Sequence, residues 1–357
     1  MSNRILLLGS GTVGSAIAHL LGSTGDYDLR VADRDAAELE RLPPSQSRRL
    51  TLSVEDPAAL LEALADVDVV ISACPYYLSV PIARAAREAN VHYFDMTEDV
   101  ATAKEIRRIA DGASTLFVPQ CGLAPGFISI VAFDLAKRFD SLRRVRLRVG
   151  ALPVFPSNAL KYNLTWSTDG LINEYCNPCE VIYDGELREV LPLEGYEQFS
   201  LDGITYEAFN TSGGLGTLCD TLQGKVDNLS YKTIRYPGHC ELIRLLVNDL
   251  RLGKRRDVFK DVLEHAVPVT QQDVVLVFVA VSGRRDGRLI QESFSKKVYH
   301  QQVHGTELAA IQLTTAASLC AMVDLQQTGK LGQAGFVRQE DVALADFLNN
   351  RFGRYFA

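Results

Sequence analysis

The stretch that decides the fold is Gly9-Ser10-Gly11-Thr12-Val13-Gly14, which follows the apolar run Ile5 to Leu8 and opens a helical pattern. Gly9 permits a tight turn, Gly11 lets the backbone approach a pyrophosphate, and Gly14 lets helix and strand pack closely. The free N–H groups of the helix then attract phosphates. The stretch therefore predicts a Rossmann unit that binds a dinucleotide. The expected contacts are Gly9, Gly11, Thr12, Val13 and Gly14.

An acidic residue follows at the position that distinguishes the two nicotinamide cofactors. Asp33 lies 19 residues after Gly14, at the end of the second predicted strand, where a carboxylate binds the adenosine ribose hydroxyls. That carboxylate would repel the extra phosphate of NADP, so the prediction is NAD, with NADP as the alternative. Arg34 leaves the alternative open, because it could stack on adenine, reach a 2′-phosphate or be an ordinary surface charge.

Short β-type runs alternate with helical stretches over the first 120 residues. Such alternation predicts βαβ units and a parallel sheet, and the apolar character of the runs predicts strands covered on both faces. The six predicted strands are Arg4 to Leu8, Leu29 to Ala32, Leu50 to Leu52, Val67 to Ala73, His92 to Phe94 and Thr115 to Val118.

Three unusual segments follow predicted strands four, five and six: Cys74 to Tyr77, Asp95 to Glu98 and Gln120 to Gly126. Ligands of doubly wound sheets bind beyond the carboxyl ends of the strands. We therefore expect the segments to line the nicotinamide and the substrate, although Pro and Gly also punctuate ordinary turns. The expected cofactor contacts are Cys74, Pro75, Cys121 and Leu123; Tyr76 and Asp95 are expected to face the substrate.

After Gly122 the strand-like segments alternate in polarity and are joined by Asp-Gly pairs at 184–185, 202–203 and 286–287, which favour antiparallel hairpins. From Gly305 to Leu325 the pattern is helical again. The predicted fold class is α/β, with a doubly wound parallel sheet and a second, α+β mixed-sheet domain. The predicted Rossmann domain comprises residues 1–121 and 305–357, and the predicted substrate-binding and dimerisation domain comprises residues 122–304.

Composition excludes several function classes. A net charge of −7 disfavours a nucleic-acid surface, and the N-terminal apolar run is too short for a secretion signal or a membrane span. These features predict a cytoplasmic protein without membrane or nucleic-acid partners. Cys176 and Cys179 form a lone C-x-x-C, which is half of a zinc site, a redox pair or two loop thiols. We expect no metal, because no second ligand pair follows.

Two segments of the second half carry side chains suited to an amino-acid ligand. Lys161 to Gly170 contains Trp166, the only tryptophan, and Lys232 to Glu241 contains Arg235 and His239. Arg235 has the fork geometry for a carboxylate, and Pro237-Gly238 can open a helix that carries His239. A lone Arg or His is more often a surface or core residue, so residue chemistry alone does not select these two.

Taken together, these motifs resemble the saccharopine dehydrogenase/lysine 6-dehydrogenase family. The resemblance rests on the Gly9 stretch, Cys121-Gly122-Leu123-Ala124-Pro125-Gly126, Trp166-Ser167 and Arg235-Tyr236-Pro237-Gly238-His239. It implies a Rossmann domain completed by C-terminal helices, a mixed-sheet domain that dimerises, NAD(P)-linked chemistry at a C–N bond, and site roles for Arg235 and His239. Two segments depart from the family pattern: Asn210 to Gly214, where a tyrosine is expected, and Asp169, where glutamate-forming enzymes tend to carry a basic residue.

The resemblance implies a lysine 6-dehydrogenase-like homodimer that deaminates the lysine side chain. Asp95 and His239 are the candidate bases, Arg235 would bind the α-carboxylate, and Trp166 and Tyr76 would wall the aliphatic chain. Asp169 would repel a glutarate carboxylate and attract an ammonium group; alternatively it caps a helix that begins at Gly170. The other functions considered are a saccharopine, opine or polyamine-type reductase, a non-catalytic dinucleotide sensor and an inactive relative.

Overall fold

The computed structural model describes residues 3–42 and 47–357, and the chain divides into two compact units. Unit 1 comprises Met1–Phe127 and Gln312–Ala357, and unit 2 comprises Ile128–Ile311. No helix in the described ranges is long and apolar enough to cross a membrane.

The elements follow in chain order. The first are β1 (Asn3–Leu8), α1 (Thr12–Gly22), β2 (Tyr27–Asp33), α2 (Ala36–Glu40), β3 (Arg48–Thr51), α3 (Pro57–Leu64), β4 (Val69–Ser72), α4 (Ser79–Ala89), β5 (His92–Asp95), α5 (Val100–Ile109) and β6 (Leu116–Val118). The next are α6 (Phe127–Ala136), β7 (Ser141–Pro153), α7 (Thr168–Cys176), β8 (Cys179–Tyr183), β9 (Glu186–Val190), β10 (Glu197–Leu201), β11 (Ile204–Asn210), α8 (Leu218–Leu222), β12 (Val226–Arg235) and α9 (His239–Arg244). The last are α10 (Arg256–Ala266), β13 (Asp273–Arg285), β14 (Arg288–Tyr299), β15 (Gln301–Val303), β16 (Thr306–Leu308), α11 (Ala310–Gln327), β17 (Gly335–Phe336) and α12 (Leu344–Asn349).

Unit 1 contains a seven-stranded parallel sheet in the order β17-β6-β5-β4-β1-β2-β3. All six predicted strands are confirmed, and the doubly wound α/β class is confirmed with them. Burial on both faces holds for β4, whose four residues are all buried. It is wrong for β3, whose four residues are all exposed, because β3 lies at the edge of the sheet.

Unit 2 is built on a mixed sheet in the order β10-β11-β12-β7-β13-β14, with the β8–β9 hairpin attached to β12. Strands β7 and β12 pair in parallel, and the other pairs are antiparallel. The three predicted Asp-Gly hairpins are confirmed. In each of them both residues have positive φ, which matches the right-handed twist of the paired strands.

The helix predicted to begin at Gly305 begins five residues later. Residues 301–308 form the β15–β16 ribbon, and α11 starts at Ala310. The side chain of Asp273 accepts hydrogen bonds from the backbone N–H groups of Ala310 and Ile311. The helix starts where this distant carboxylate satisfies its first donors, a contact that local sequence does not reveal.

Candidate functional site

The glycine loop of unit 1 is shaped to receive a phosphate group. Gly9 has φ of +97°, and a Cβ there would lie 2.7 Å from the carbonyl oxygen of Ala73. A Cβ on Gly14 would lie 2.1 Å from the carbonyl oxygen of Gly9, so helix α1 approaches β1 only with glycine at that position. A Cβ on Gly11 would meet nothing within 4 Å. The space above Gly11 is therefore open to a ligand.

The N-terminus of α1 agrees with that geometry. Gly11 is its N-cap and supplies no side-chain acceptor, and both Gly11 and Thr12 are exposed. The first N–H groups of an uncapped helix carry partial positive charge and favour an anion. These residues fit the pyrophosphate of a dinucleotide.

The Asp33 carboxylate holds this loop in place by hydrogen bonds. It is also the group expected to bind the adenosine ribose hydroxyls. The carboxylate accepts hydrogen bonds from the backbone N–H and hydroxyl of Ser10, at 2.8 and 2.9 Å, and from the N–H of Asp35 at 2.9 Å. Burial alone would raise the pKa of Asp33, but these hydrogen bonds hold it below its ordinary value. Asp33 is therefore ionised at neutral pH. The neighbouring Arg34 side chain is 73% exposed, and its Nη1 lies 3.9 Å from a carboxylate oxygen of Glu55.

Asp95, one of the two predicted bases, is enclosed at the end of β5. Its carboxylate accepts the hydroxyl of Tyr93 at 2.6 Å and the N–H groups of Thr97 and Gln120 at 3.0 and 2.9 Å. Burial raises its pKa, against the opposing effect of these hydrogen bonds. With 1% of its surface exposed, Asp95 is placed to hold the loops after β5 and β6 together.

Glu98 is the next acidic residue after Asp95 in the segment that follows β5, and its pKa makes it a candidate base. Glu98 is half-buried, and burial raises its pKa to about 7, with Asp99 and Asp95 adding to the rise. A carboxyl group with this pKa exchanges its proton near neutral pH, as a general base must.

The remaining predicted residues of unit 1 lie at the same strand ends. Pro75 is exposed and Tyr76 is half-buried in the turn after β4. Burial raises the pKa of the Cys74 thiol to about 12, so this thiol stays protonated. Cys121 is fully buried and Leu123 is 4% exposed, so their contact with a cofactor stays a prediction.

In unit 2, Arg235 at the end of β12 is the centre of a buried polar cluster. Its Nε donates to the hydroxyl of Tyr175 at 3.1 Å, and its Nη1 donates to Thr233 and to the carbonyl of Ile234. Its Nη2 lies 3.9 Å from a carboxylate oxygen of Glu174, beyond hydrogen-bond distance. The guanidinium lies over the Tyr162 ring, 4.9 Å from its centre. One end of the fork is thus fixed, and the other faces only a distant charge.

His239 extends the cluster through Tyr175. Its Nδ1 lies 2.8 Å from the carbonyl oxygen of Leu160, so Nδ1 carries the proton and Nε2 accepts the Tyr175 hydroxyl at 3.0 Å. Burial and then the charge of Arg235 lower the pKa of His239 to about 3. His239 is therefore a neutral acceptor that orients Tyr175.

Tyr162 adds a second tyrosine hydroxyl to the cluster, and its hydrogen bonding differs from that of Tyr175. It is buried and has no hydrogen-bond partner of normal geometry among the described residues. Burial raises its pKa, and Arg235, Thr165 and Trp166 oppose that rise. The side-chain oxygens of Asn163 and Thr165 are also buried without partners. A buried polar atom without a partner is unfavourable unless a ligand satisfies it.

The segment around Trp166 differs in part from expectation. Helix α7 begins at Thr168 and is capped by Ser167, whose hydroxyl accepts the N–H of Gly170 at 3.2 Å, so the alternative that Asp169 caps a helix at Gly170 is wrong. Asp169 instead accepts a 2.6 Å hydrogen bond from Lys260, and its side chain is 47% exposed. Its charge is compensated, which weakens the predicted repulsion of a glutarate. Trp166 packs against the apolar cluster that contains Tyr162.

Sequence reasoning missed Tyr162, Tyr175 and Glu207. The carboxylate of Glu207 accepts the N–H groups of Gly238 and Cys240 at 2.7 and 2.6 Å and so holds the start of α9. Tyr162 lies in the Lys161–Gly170 segment singled out above, but Trp166 drew attention there, and no motif marks Tyr175 or Glu207. Cys176 and Cys179 are free thiols, and the described ranges contain no group of three or more His, Cys, Asp or Glu that could hold a metal.

Comparison with known proteins follows the same two-part division. Residues 5–115 match the model of the saccharopine dehydrogenase NADP binding domain, and residues 122–353 match that of the saccharopine dehydrogenase C-terminal domain. This chain belongs to the saccharopine dehydrogenase family. The predicted family is thereby confirmed, and the chain is an oxidoreductase of that family.

Similar proteins include enzymes of two kinds. The L-glutamate-forming, NADP(+) saccharopine dehydrogenase of Saccharomyces cerevisiae is 24% identical over 84% of this chain and 68% of its own length. The mitochondrial alpha-aminoadipic semialdehyde synthase of Mus musculus is 23% identical over 78% of this chain, which spans about a third (31%) of that protein. The apo structure of the yeast enzyme matches with a TM-score of 0.80 at 18% identity, covering 97% of each chain, and confirms the fold.

Proposed function

We propose that this protein oxidises a C–N bond of an amino acid with a nicotinamide dinucleotide, and that its substrate is L-lysine or a close diamine acid. Unit 1 would hold the dinucleotide at the Gly9–Gly14 loop, and unit 2 would bind the amino acid and form a homodimer. The observation that carries the proposal is the Arg235 cluster, where a half-satisfied guanidinium lies beside buried polar groups that lack partners.

Arg235 is the proposed anchor of the substrate α-carboxylate. Its Nε and Nη1 are held by Tyr175, Thr233 and Ile234, so the orientation of the guanidinium is set before substrate arrives. A carboxylate that approaches Nη2 would gain a charge-assisted hydrogen bond in a dry site. Tyr162 would add its free hydroxyl to the same group or to the amine.

Proton removal is assigned to Glu98 in preference to the two predicted bases. His239 has a pKa of about 3 and stays neutral as a positioning residue, and both oxygens of Asp95 accept hydrogen bonds. Glu98 follows β5 at the carboxyl edge of the sheet, and its pKa of about 7 suits a base at neutral pH. The oxidised nicotinamide would supply the hydride acceptor, and water would hydrolyse the resulting imine to an aldehyde and ammonia.

The choice of lysine rests on charge. Saccharopine carries two more carboxylates than lysine and needs further cations. Arg235 is the cation whose charge acts on the pKa of Tyr162, Tyr175 and His239. Glu174 lies beside it, which suits a ligand that also carries ammonium groups.

A second candidate is saccharopine oxidation with glutamate as product. The relatives support it, because the yeast enzyme is named for that reaction. The Lys260–Asp169 pair also places an ammonium group near the position where glutamate-forming enzymes tend to carry a basic residue.

For the cofactor we propose NAD, with NADP as the weaker ligand. The matched family model is named for NADP, whereas Asp33 is ionised and would repel a 2′-phosphate. Arg34 is exposed and could offset that repulsion in part. The carboxylate should dominate over the exposed Arg34 charge because three hydrogen bonds fix its position.

The decisive experiment measures NADH and NADPH formation with a panel that contains L-lysine, L-ornithine, saccharopine and other opines. We expect turnover of lysine or a close diamine acid and little of saccharopine. Arg235→Lys retains the charge but not the fork, and should raise KM on the order of tenfold with little change in dinucleotide affinity. Turnover of saccharopine alone would establish the second candidate, and dinucleotide binding without turnover of any compound would indicate a sensor.

A further inference from the structure

A cavity lined partly by charged side chains lies within unit 2 and takes no part in the proposed reaction. Its volume is about 350 Å³, within the range of small-molecule sites. Arg244, Arg251 and Lys254 line it, together with Asn248 and the single acid Glu194. We call this cavity the basic pocket.

The charge of the basic pocket is unusual for an acidic protein. Three cations and one carboxylate leave a net charge of +2, on a chain whose net charge is −7. Within residues 47–357, Arg244, Arg251 and Lys254 form no ion pair with an acidic side chain. Like charges gathered at one cavity repel one another, and a bound anion would remove that repulsion.

The backbone brings these cations together by an irregular path. After α9 the chain makes a π-helical turn at Leu245–Asp249, closed by a hydrogen bond from the N–H of Leu250 to the carbonyl of Leu245. Arg251 then adopts a left-handed conformation with φ of +58°. A Cβ on Gly253 would lie 2.9 Å from the Val247 side chain, so glycine lets the following turn fold back against the π turn. Such turns often occur at functional sites.

We propose that the basic pocket binds a small dianion, because two negative charges would neutralise its net charge. The cavity has room for a dicarboxylate of about five carbons as well as for a phosphate group. This ligand would be separate from the amino-acid substrate at Arg235. Tyr175 lines the basic pocket and also accepts a hydrogen bond from Arg235.

The test is calorimetric titration of the full chain, without dinucleotide, with 2-oxoglutarate, glutarate and inorganic phosphate. We expect at least one of them to bind, more weakly at high salt, and each single Gln substitution of a pocket cation to weaken binding about fivefold. Arg255→Gln is the matched control: Arg255 is exposed, as Arg244, Arg251 and Lys254 are, and immediately follows Lys254, but it does not line the cavity. Tighter binding of 2-oxoglutarate than of phosphate would identify a dicarboxylate site, and the reverse order a phosphate site.

Two results would overturn the proposal. One is no binding of any of the three anions to the wild type. The other is equal binding by the wild type and the R244Q/R251Q/K254Q variant, with thermal melting showing that both are folded. Because the readout is binding in the absence of dinucleotide, failure here leaves the proposed oxidoreductase activity untouched.

Discussion

Two tyrosines beside Arg235 allow one chemical change to be made in two environments. Tyr162 and Tyr175 are both buried, and both rings contact the guanidinium, at 4.9 and 5.9 Å from the ring centres. The hydroxyl of Tyr175 bonds Arg235 and His239, whereas that of Tyr162 lacks a partner. Tyr→Phe at each position removes one oxygen and leaves the ring in place.

The expected effects on stability differ in size and sign. Tyr175→Phe leaves Arg235 Nε and His239 Nε2 without partners in a dry cluster, and each unpaired group costs about 1–3 kcal/mol. We therefore expect the free energy of unfolding to fall by about 2–6 kcal/mol. Tyr162→Phe removes a buried hydroxyl that makes no hydrogen bond of normal geometry with the described residues, so the free energy of unfolding should stay constant or rise by up to about 1 kcal/mol.

Urea unfolding followed by tryptophan fluorescence measures both variants, since Trp166 is the only tryptophan and packs against the cluster that contains both tyrosines. If the Tyr162 hydroxyl forms a hydrogen bond with the bound substrate, Tyr162→Phe should also raise KM on the order of tenfold without loss of stability. Equal destabilisation by the two substitutions would refute the hydrogen-bond assignment, and an unchanged KM in Tyr162→Phe would remove that hydroxyl from the substrate site.

Three further predictions concern unit 1. Gly11→Ala should leave stability intact and weaken dinucleotide binding at least about tenfold, because its Cβ would occupy the space above the loop. Gly14→Ala should lower the free energy of unfolding by about 1–3 kcal/mol, because its Cβ would clash with the backbone of Gly9. Equal melting temperatures of the two variants would contradict this difference. Wild-type kcat/KM should favour NAD over NADP by at least about tenfold, and Asp33→Ala should shrink that ratio. Equal use of both cofactors by the wild type would show that Asp33 does not exclude NADP. A base acts when ionised, so kcat/KM should rise as pH increases through about 7, and Glu98→Gln should abolish that limb; a limb that persists in the variant would exclude Glu98.

The sequence by itself determined the features that depend on neighbouring residues. The Gly9–Gly14 loop could be predicted because strand, turn and helix follow one another within a few residues. Gly9 and Gly14 are required there because a Cβ at either position would clash with nearby backbone. The Asp-Gly hairpins were readable for the same reason, since positive φ is a property of the turn residues themselves. The family resemblance then supplied Arg235 and His239, which residue chemistry alone did not distinguish.

Only the tertiary structure determined which side chains of the candidate site contact one another. Tyr175 meets Arg235 across 60 positions of sequence and His239 across 64, and Asp169 meets Lys260 across 91. Sequence patterns show that such side chains are polar, but not which of them share a buried volume. Burial then decides their chemistry: it makes His239 a neutral acceptor, and it leaves Glu98 a carboxyl that titrates near neutral pH. Desolvation depends on every atom packed around a group, and only the folded chain brings those atoms together.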